Sequence, residues 1–429
     1  MPKFKHISTS KLKAKLSDSK NALIDCRPVD AYNGWTMENE KRGGHIPGAR
    51  SLPYKWTNYL DWIEIVRSKG ISSDQEIIIY GYHEPVMEET ANMFRQAGYP
   101  NIFLYTGFLN EWVRDPELPL AQLSRFRNLV SPHWLHKLTK TGIAREYDNN
   151  DYVICHIHYQ NPTDYDRGHI PGAIPLDTNS LESQKTWNRR SPGELKSTLL
   201  KAGISSNTTV IVYGRFSYPD NQDPFPGSSA GHLGAIRAAA ILLYAGVKDV
   251  RILNGGLQSW LDEGFLVSQE KVKPEPVRNF GITIPGRPEI FIDTPEAKAY
   301  LEDENSNLVS VRSWPEYIGK VSGYNYIEKT GRIPGSVFGN CGTDAYHMEN
   351  YRNLDHTMRE YHETEKLWAE MGITPDKKNA FYCGTGWRGS EAFMNAWLMG
   401  WPDIAVYDGG WFEWSNDPEN PVAKGEPED

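Results

Sequence analysis

The sequence predicts an α/β protein in which one open, parallel-sheet domain is repeated three times. Three observations carry this. Two short signatures recur in the same order along the 429 residues. Apolar runs rich in Val, Ile and Tyr alternate with helical patterns. Each repeat opens on a capped helix.

The first signature is "GGHIPGA" (Gly43 to Ala49), then "RGHIPGA" (Arg167 to Ala173) and, more weakly, "GRIPGS" (Gly331 to Ser336). The second is "YTGFLNEW" (Tyr105 to Trp112), "LNGGLQSW" (Leu253 to Trp260) and "YDGGWFEW" (Tyr407 to Trp414). The opening helices are "STSKLKAKL", "SPHWLHKL" and "DTPEAKAYL", each led by Ser or Asp. The strand runs are "ALIDCR", "EIIIYG" and "NIFLYTG" in the first repeat. "TVIVYG" and "VRILNGG" serve in the second, and "NLVSVR", "AFYCG" and "IAVYDGG" in the third. Continuous apolar runs between helices indicate a parallel sheet covered on both faces. In such sheets ligands bind beyond the carboxyl ends of the strands. The stretches from Arg114 to Asn128 and from Glu270 to Glu289 are rich in proline and charge and read as linkers. The expected domains are 1–124, 125–272 and 273–429.

Composition narrows the function. Hydrophobic content of 39% and charged content of 24% fit a globular chain. A formal net charge of −9 speaks against a nucleic-acid partner, which would call for a basic surface. No apolar run approaches the ~20 residues of a membrane helix. The first residues, "MPKFKHISTSKLKAKL", lack the apolar core of a secretory signal. The chain as written is therefore expected in the cytoplasm, with the periplasm open for a mature form.

The four cysteines, Cys26, Cys155, Cys341 and Cys383, lie far apart, with no CxxC and no cluster at zinc-ligand spacing. Neither a disulfide framework nor a metal or other cofactor is expected. Cys26 and Cys155 sit inside strand-like runs and read as small buried hydrophobes. Cys341, in "FGNCGTD", reads equally as structural or as close to a site.

Cys383 is different. Aligned on Trp112 and Trp414, the loop "CGTGWR" of the third repeat falls on "GYHEPV" of the first, and Cys383 on Gly81. In the second repeat the strand ends at Gly214, and about 15 extra residues, "RFSYPDNQDPFPGSS", interrupt the loop. One repeat carries a thiol and two carry the scaffold without it. Gly384, Thr385, Gly386, Trp387 and Arg388 follow the thiol. The glycines tolerate the positive φ angles with which backbone N–H groups turn inward. A helix then begins, adding partial positive charge at its amino end. Arg388 adds a full charge. These features favour a thiolate, and would equally hold a persulfide.

These residues resemble the rhodanese family of sulfurtransferases. The "HIPGA" and "GGWFEW" segments look like its two signatures. "CGTGWR" looks like its six-residue active loop, with the nucleophilic cysteine first. The likeness spans nearly the whole chain as three tandem rhodanese-like domains, each a parallel β-sheet flanked by helices. It is similar to three-domain bacterial thiosulfate sulfurtransferases.

The resemblance implies a double displacement through a Cys383 persulfide. Sulfane sulfur would come from thiosulfate or a similar donor and pass to cyanide or a thiol. Gly384, Thr385, Gly386, Trp387 and Arg388 would bind the donor. Trp387 reads either as a pocket wall or as packing. The family's early Asp-x-Arg is present as Asp25 and Arg27, but the third repeat has Ser310 and Arg312. Arg312 either faces the donor or serves as a salt-bridged residue.

Two other functions are carried. One is a persulfide carrier that delivers sulfur to a partner protein. The other is a cysteine-loop phosphatase or arsenate reductase, whose loops place five residues between Cys and Arg; here there are four. The expected partners are a small-molecule sulfur donor and acceptor, with a protein donor or acceptor possible, on a monomer. His347 and His356, in a long insertion of the third repeat, read as solvated loop histidines.

Overall fold

The apolar runs are too short for helices and are bounded by glycine and polar turns, so they pair as strands. The computed structural model describes residues 4–216 and 230–427, and in it these runs build three five-stranded sheets. The first holds β1 (Lys5–His6), β2 (Asn21–Asp25), β3 (Arg50–Ser51), β4 (Glu76–Tyr80) and β5 (Ile102–Tyr105), in the order β1-β5-β4-β2-β3. The second holds β6 (Leu129–Val130), β7 (Tyr152–His158), β8 (Ile174–Asp177), β9 (Thr209–Tyr213) and β10 (Asp249–Leu253), ordered β6-β10-β9-β7-β8. The third holds β11 (Phe291–Ile292), β12 (Ser306–Ser310), β13 (Val337–Phe338), β14 (Lys378–Tyr382) and β15 (Ile404–Tyr407), ordered β11-β15-β14-β12-β13. Every pairing is parallel. One topology therefore occurs three times. The chain divides into two compact units, Met1–Arg127 and Asn128–Asp429, and the second unit contains two of the sheets.

The central strands β4, β9 and β14 end on Tyr80, Tyr213 and Tyr382, which pair with Asp25, His156 and Ser310. The next residue is Gly81, Gly214 or Cys383. The register thus puts the cysteine where the other two repeats have glycine.

The signatures are scaffold. The N–H of Ile46 donates to the Tyr80 hydroxyl at 3.1 Å, and that of Ile170 to Tyr213 at 2.9 Å. His45 stacks on Tyr32 with ring centres 3.6 Å apart, and His169 on Tyr165 at 3.7 Å. In the third repeat Arg332 replaces the histidine and lies over Tyr317 at 5.2 Å, a cation–π contact in place of a stack. The tryptophans that end the second signature each donate to a carbonyl six or seven residues on, at Pro119, Leu266 and Pro421. They fold the following chain back onto the first signature, where His45 bridges Ala121, His169 bridges Ser268 and Arg332 bridges Ala423.

Three helices follow the central strands: α1 (Glu84–Gln96), α2 (Ala230–Ala245) and α3 (Trp387–Met399). In α2, Leu233, Ile236, Ala239, Leu242 and Leu243 are all buried, so it is apolar nearly all round and belongs inside the fold. It packs along α3 and so joins the second and third repeats within the second unit. Each fully buried Leu or Ile contributes about 1.5–3 kcal/mol relative to exposure. Among the described residues no helix is long and apolar enough to cross a membrane, and no cluster of His, Cys, Asp and Glu could hold a metal. The extra loop of the second repeat lies outside the described residues beyond Phe216.

Candidate active site

Cys383 stands at the carboxyl end of β14 with a relative exposure of 0%. The loop after it is shaped by what surrounds each residue. A β-carbon on Gly384 would come within 2.2 Å of the Tyr324 ring, so only glycine fits there. Gly386 has φ +97°, a left-handed conformation natural to glycine, and turns its N–H to the Cys383 Sγ at 3.3 Å. The carbonyls of Cys383 and Gly384 accept from the N–H groups of Trp411 and Phe412, at 2.8 and 2.9 Å. The second signature therefore binds the loop's carbonyls while an amide hydrogen stays on the sulfur. Thr385 is buried.

The resemblance gives Arg388 to the donor and leaves Arg312 open between the donor and a salt bridge; both are buried and hydrogen-bonded inside the protein. Arg388 donates to Glu316 at 2.7 and 3.0 Å, to the Tyr324 hydroxyl at 2.7 and 3.0 Å, and to the Cys341 Sγ and the Asp344 carbonyl at 3.3 Å each. Its guanidinium is saturated and buried. Arg312 donates to the Gly331 carbonyl at 2.7 Å and to Glu316 at 3.4 Å, and lies over Trp411 at 5.2 Å. Arg27 of the first repeat makes the same staple to the Gly44 carbonyl at 2.8 Å, in a domain with no thiol. The arginine after β2 and β12 is thus a scaffold element that fastens the first signature to the sheet.

The charge around these arginines differs between repeats. In the third, Glu316 faces two guanidiniums, leaving one formal positive charge behind the Cys383 loop. In the first, Arg27 faces Asp25 at 2.7 Å and Glu40 at 3.9 Å, leaving one formal negative charge. A buried charge of this kind acts over several ångströms without contact. The thiol-bearing repeat thus carries the opposite formal sign to the first. Burial alone would raise the Glu316 carboxyl, but Arg388, Arg312 and Ser313 hold it down to about 2.

The other cysteines are scaffold. Burial pushes Cys26, Cys155 and Cys341 up to about 12, so each is a thiol. Cys341 backs Arg388 rather than facing a cleft. His347 is partly exposed and paired to Asp344 at 2.9 Å, whereas His356 stacks on Phe216 at 3.9 Å and is pushed down to about 4 by burial.

Trp387 is the loop residue that leaves the third repeat. Its ring lies against Gly234 of α2, where a β-carbon would meet it at 3.4 Å, and its Nε1–H donates to Glu182 at 2.7 Å. Burial pushes Glu182 up to about 7, against the pull of Arg237 and Trp387. Around the loop runs an aromatic wall from both repeats. Tyr324 meets Tyr326 at 5.2 Å, Tyr326 stacks on Trp187 at 5.1 Å, Trp187 stacks on Tyr159 at 6.0 Å, and Tyr159 stands edge-on to Trp387 at 6.2 Å. Tyr326 and Tyr159 are 43% and 42% exposed, so the wall opens to solvent. Trp187 has φ +62°, a costly conformation for a bulky residue and one that clusters at binding sites. The sequence reading missed this wall and Glu316, Glu182 and Arg237. The doublet Tyr324-x-Tyr326 just ahead of "GRIPGS" was a visible sign; Glu182 and Arg237 lie more than a hundred residues upstream and carried none.

Fold and site together define a tandem array of one α/β domain with a cysteine loop in its last copy. Residues 8–115, 131–263 and 293–417 match the rhodanese-like domain, and the chain belongs to the rhodanese family. It is 39% identical over 418 residues to thiosulfate sulfurtransferase YnjE of Escherichia coli strain K12, covering 96% of this chain and 91% of that protein. It is 31% identical to the sulfur carrier protein TtuD of Thermus thermophilus, covering 70% of this chain and 97% of that one. Among solved structures it resembles wild-type EanB, with 55% identity, a TM-score of 0.96 and 99% of both chains covered. EanB is also solved with hercynine, and with a cysteine persulfide in a tetrahedral intermediate state with ergothioneine.

Proposed function

We propose that this chain is a sulfurtransferase in which Cys383 accepts sulfane sulfur as a persulfide and passes it to an imidazole betaine such as hercynine. The observation that carries it is Cys383 at a strand end, with the Gly386 N–H on its sulfur and an open aromatic wall beside it. The Cys383 thiolate attacks the outer sulfur of thiosulfate or another sulfane donor. The donor S–S bond breaks, and sulfite leaves with the electron pair. The Gly386 N–H and the net positive charge behind the loop favour the anionic sulfur at both stages.

The outer persulfide sulfur then bonds to the acceptor carbon between the ring nitrogens, and the persulfide S–S bond breaks. The carbon gives up its proton and is oxidised by two electrons. The transferred sulfur is reduced by two, and the Cys383 thiol returns. No outside oxidant is needed. The aromatic wall suits the acceptor's trimethylammonium group, because ring faces attract a cation by about 0.5–2 kcal/mol per contact. The likeness to EanB, over nearly the whole of both chains, supports this acceptor ahead of cyanide or a plain thiol.

The test loads the protein with thiosulfate or polysulfide, follows a gain of about 32 Da on the Cys383 peptide, and then adds hercynine and assays ergothioneine. Cys383→Ser should abolish both. Loading on another cysteine would overturn the assignment. Loading on Cys383 with discharge only to a partner protein would instead favour a carrier, the role for which the Thermus relative is named.

A further inference from the structure

We propose that Glu182 and Arg237 of the thiol-less second repeat are positioning residues for the Cys383 loop, holding Gly386 and Trp387 so that the Gly386 N–H stays on the sulfur. This rests on the reading of Cys383 as the reactive thiol, but not on any particular acceptor.

The contact has two arms, bonded to each other. Glu182 grips the loop through Trp387, by the 2.7 Å bond to Nε1, and is itself gripped by the Arg237 Nε at 3.1 Å. Arg237 reaches the loop directly. Its Nη1 and Cζ lie 3.1 and 3.4 Å from where a β-carbon on Gly386 would stand. That Nη1 is buried and has no hydrogen-bond partner among the described residues. The other nitrogen, Nη2, donates to Asp408 and to the carbonyl of Trp187 at 3.2 Å. Asp408 in turn takes Arg189 at 2.7 Å, and its own carbonyl lies 3.6 Å from the same Gly386 position. One side chain from α2 therefore touches the loop glycine, the end of β15 and the strained Trp187.

Packing alone does not call for this arrangement. A buried Arg–Glu–Asp cluster is often replaceable by apolar residues at no cost in stability. What it adds is direction. Trp387 and Arg388 are consecutive, yet the first is held by Glu182 of the second repeat and the second by Glu316 of the third. With both ends of the turn fixed, the amide of Gly386 between Cys383 and Trp387 has little freedom to rotate away. The second repeat has Gly214 where the third has Cys383, and its own helix follows. That helix, α2, is the element that braces the working loop.

The experiment measures the rate of Cys383 alkylation by iodoacetamide against pH, read by peptide mass, together with the rate of sulfur loading from polysulfide. It compares the full-length wild type with Glu182→Gln, Trp387→Phe, their double variant and Arg237→Met. Glu182→Gln and Trp387→Phe should each slow loading about 5-fold or more, and Trp387→Phe, which changes no charge, should also raise the pH midpoint of alkylation by about half a unit or more. The double variant should be no worse than either single, since both remove one contact. Wild-type midpoints and loading in the single variants would overturn the proposal, as would effects that add independently. If Glu182→Gln fails to fold, Trp387→Phe and Arg237→Met still decide it. Alkylation landing on a different cysteine would instead refute Cys383 as the reactive thiol, a distinguishable failure.

Discussion

Glu316 meets Arg388 at two points, 2.7 Å from Nη2 and 3.0 Å from Nη1, with both side chains buried. The pair couples the Cys383 loop to pH. The Glu316 carboxyl sits at about 2 against an ordinary 4.5. Its folded pKa lies below the unfolded value, so the ionised acid stabilises the fold fully above about pH 4.5. That contribution, on the order of 3 kcal/mol, fades as the pH falls from 4.5 towards 2. Acid unfolding followed by circular dichroism should be steep across this window in the wild type. In Glu316→Gln it should be flatter there, with lower stability at pH 7.

Removing the other partner should cost more. Arg388→Ala leaves a buried carboxylate with the Ser313 hydrogen bonds and, as its one cationic partner among the described residues, the longer contact to Arg312, and also strips the Tyr324 hydroxyl and Cys341 of a donor. Breaking a buried pair in this way costs roughly 3–5 kcal/mol. The midpoint of urea unfolding should fall accordingly. Arg388→Lys, with a point charge in place of a planar fork, should recover only part of the loss.

Arg312 and Arg27 should behave alike, because each staples the end of a strand to the carbonyl before an "IPG" turn. Arg312→Lys and Arg27→Lys should each lower the melting temperature by several degrees, as the loss of about 1–2 kcal/mol does in domains of this size. In the folded fraction, the Michaelis constant for the sulfur donor should stay within about 2-fold of wild type. A selective rise with Arg312→Lys would show that this arginine reaches the donor after all.

Much of the fold was legible because it is written three times. The tyrosine that ends each central strand, the "IPG" turn and the final tryptophan recur at matching positions, and each does one local task. The placement of Cys383 followed from that repetition. What was not legible is what one repeat does for another. Glu182 and Trp387 are 2.7 Å apart but 205 residues apart in the chain, and no periodicity or spacing records such a contact. The partners of Arg388 were hidden for a related reason. An arginine after a glycine turn looks like a ligand for an anion, and the acid that neutralises it, Glu316, sits in an unremarkable "SWPEY" segment.

Gly386 tests the amide cradle directly. In Gly386→Ala the new β-carbon would stand 3.1 Å from Arg237 Nη1, at a backbone φ of +97°. Backbone strain of this sort costs about 1–3 kcal/mol. If the turn relaxes to relieve it, the N–H leaves the sulfur. Sulfur loading followed by mass spectrometry should slow about tenfold or more, as when one preorganised donor is lost, while unfolding shifts only modestly. Gly384→Ala, whose β-carbon would strike the Tyr324 ring at 2.2 Å, should be the more damaging for folding.

The aromatic wall makes a prediction that separates acceptors. Trp187 comes from the second repeat, stacks on Tyr326 of the third and is held at φ +62° by bonds that its ring does not make. Its N–H donates to the Ser183 carbonyl at 2.8 Å, and its own carbonyl accepts from Arg237. The strained backbone therefore serves to aim the indole. If the indole receives a quaternary ammonium group, Trp187→Ala should remove a contact of about 0.5–2 kcal/mol, equivalent to a rise of roughly 2- to 30-fold in the acceptor Michaelis constant for hercynine. Cyanide carries no cation and makes no such contact, so its Michaelis constant should move less than about 2-fold. Tyr326→Leu, which keeps bulk but loses the ring quadrupole, should follow Trp187→Ala. Equal losses with both acceptors would mean that the wall positions the loop rather than the substrate, and the cationic acceptor would then have to be abandoned.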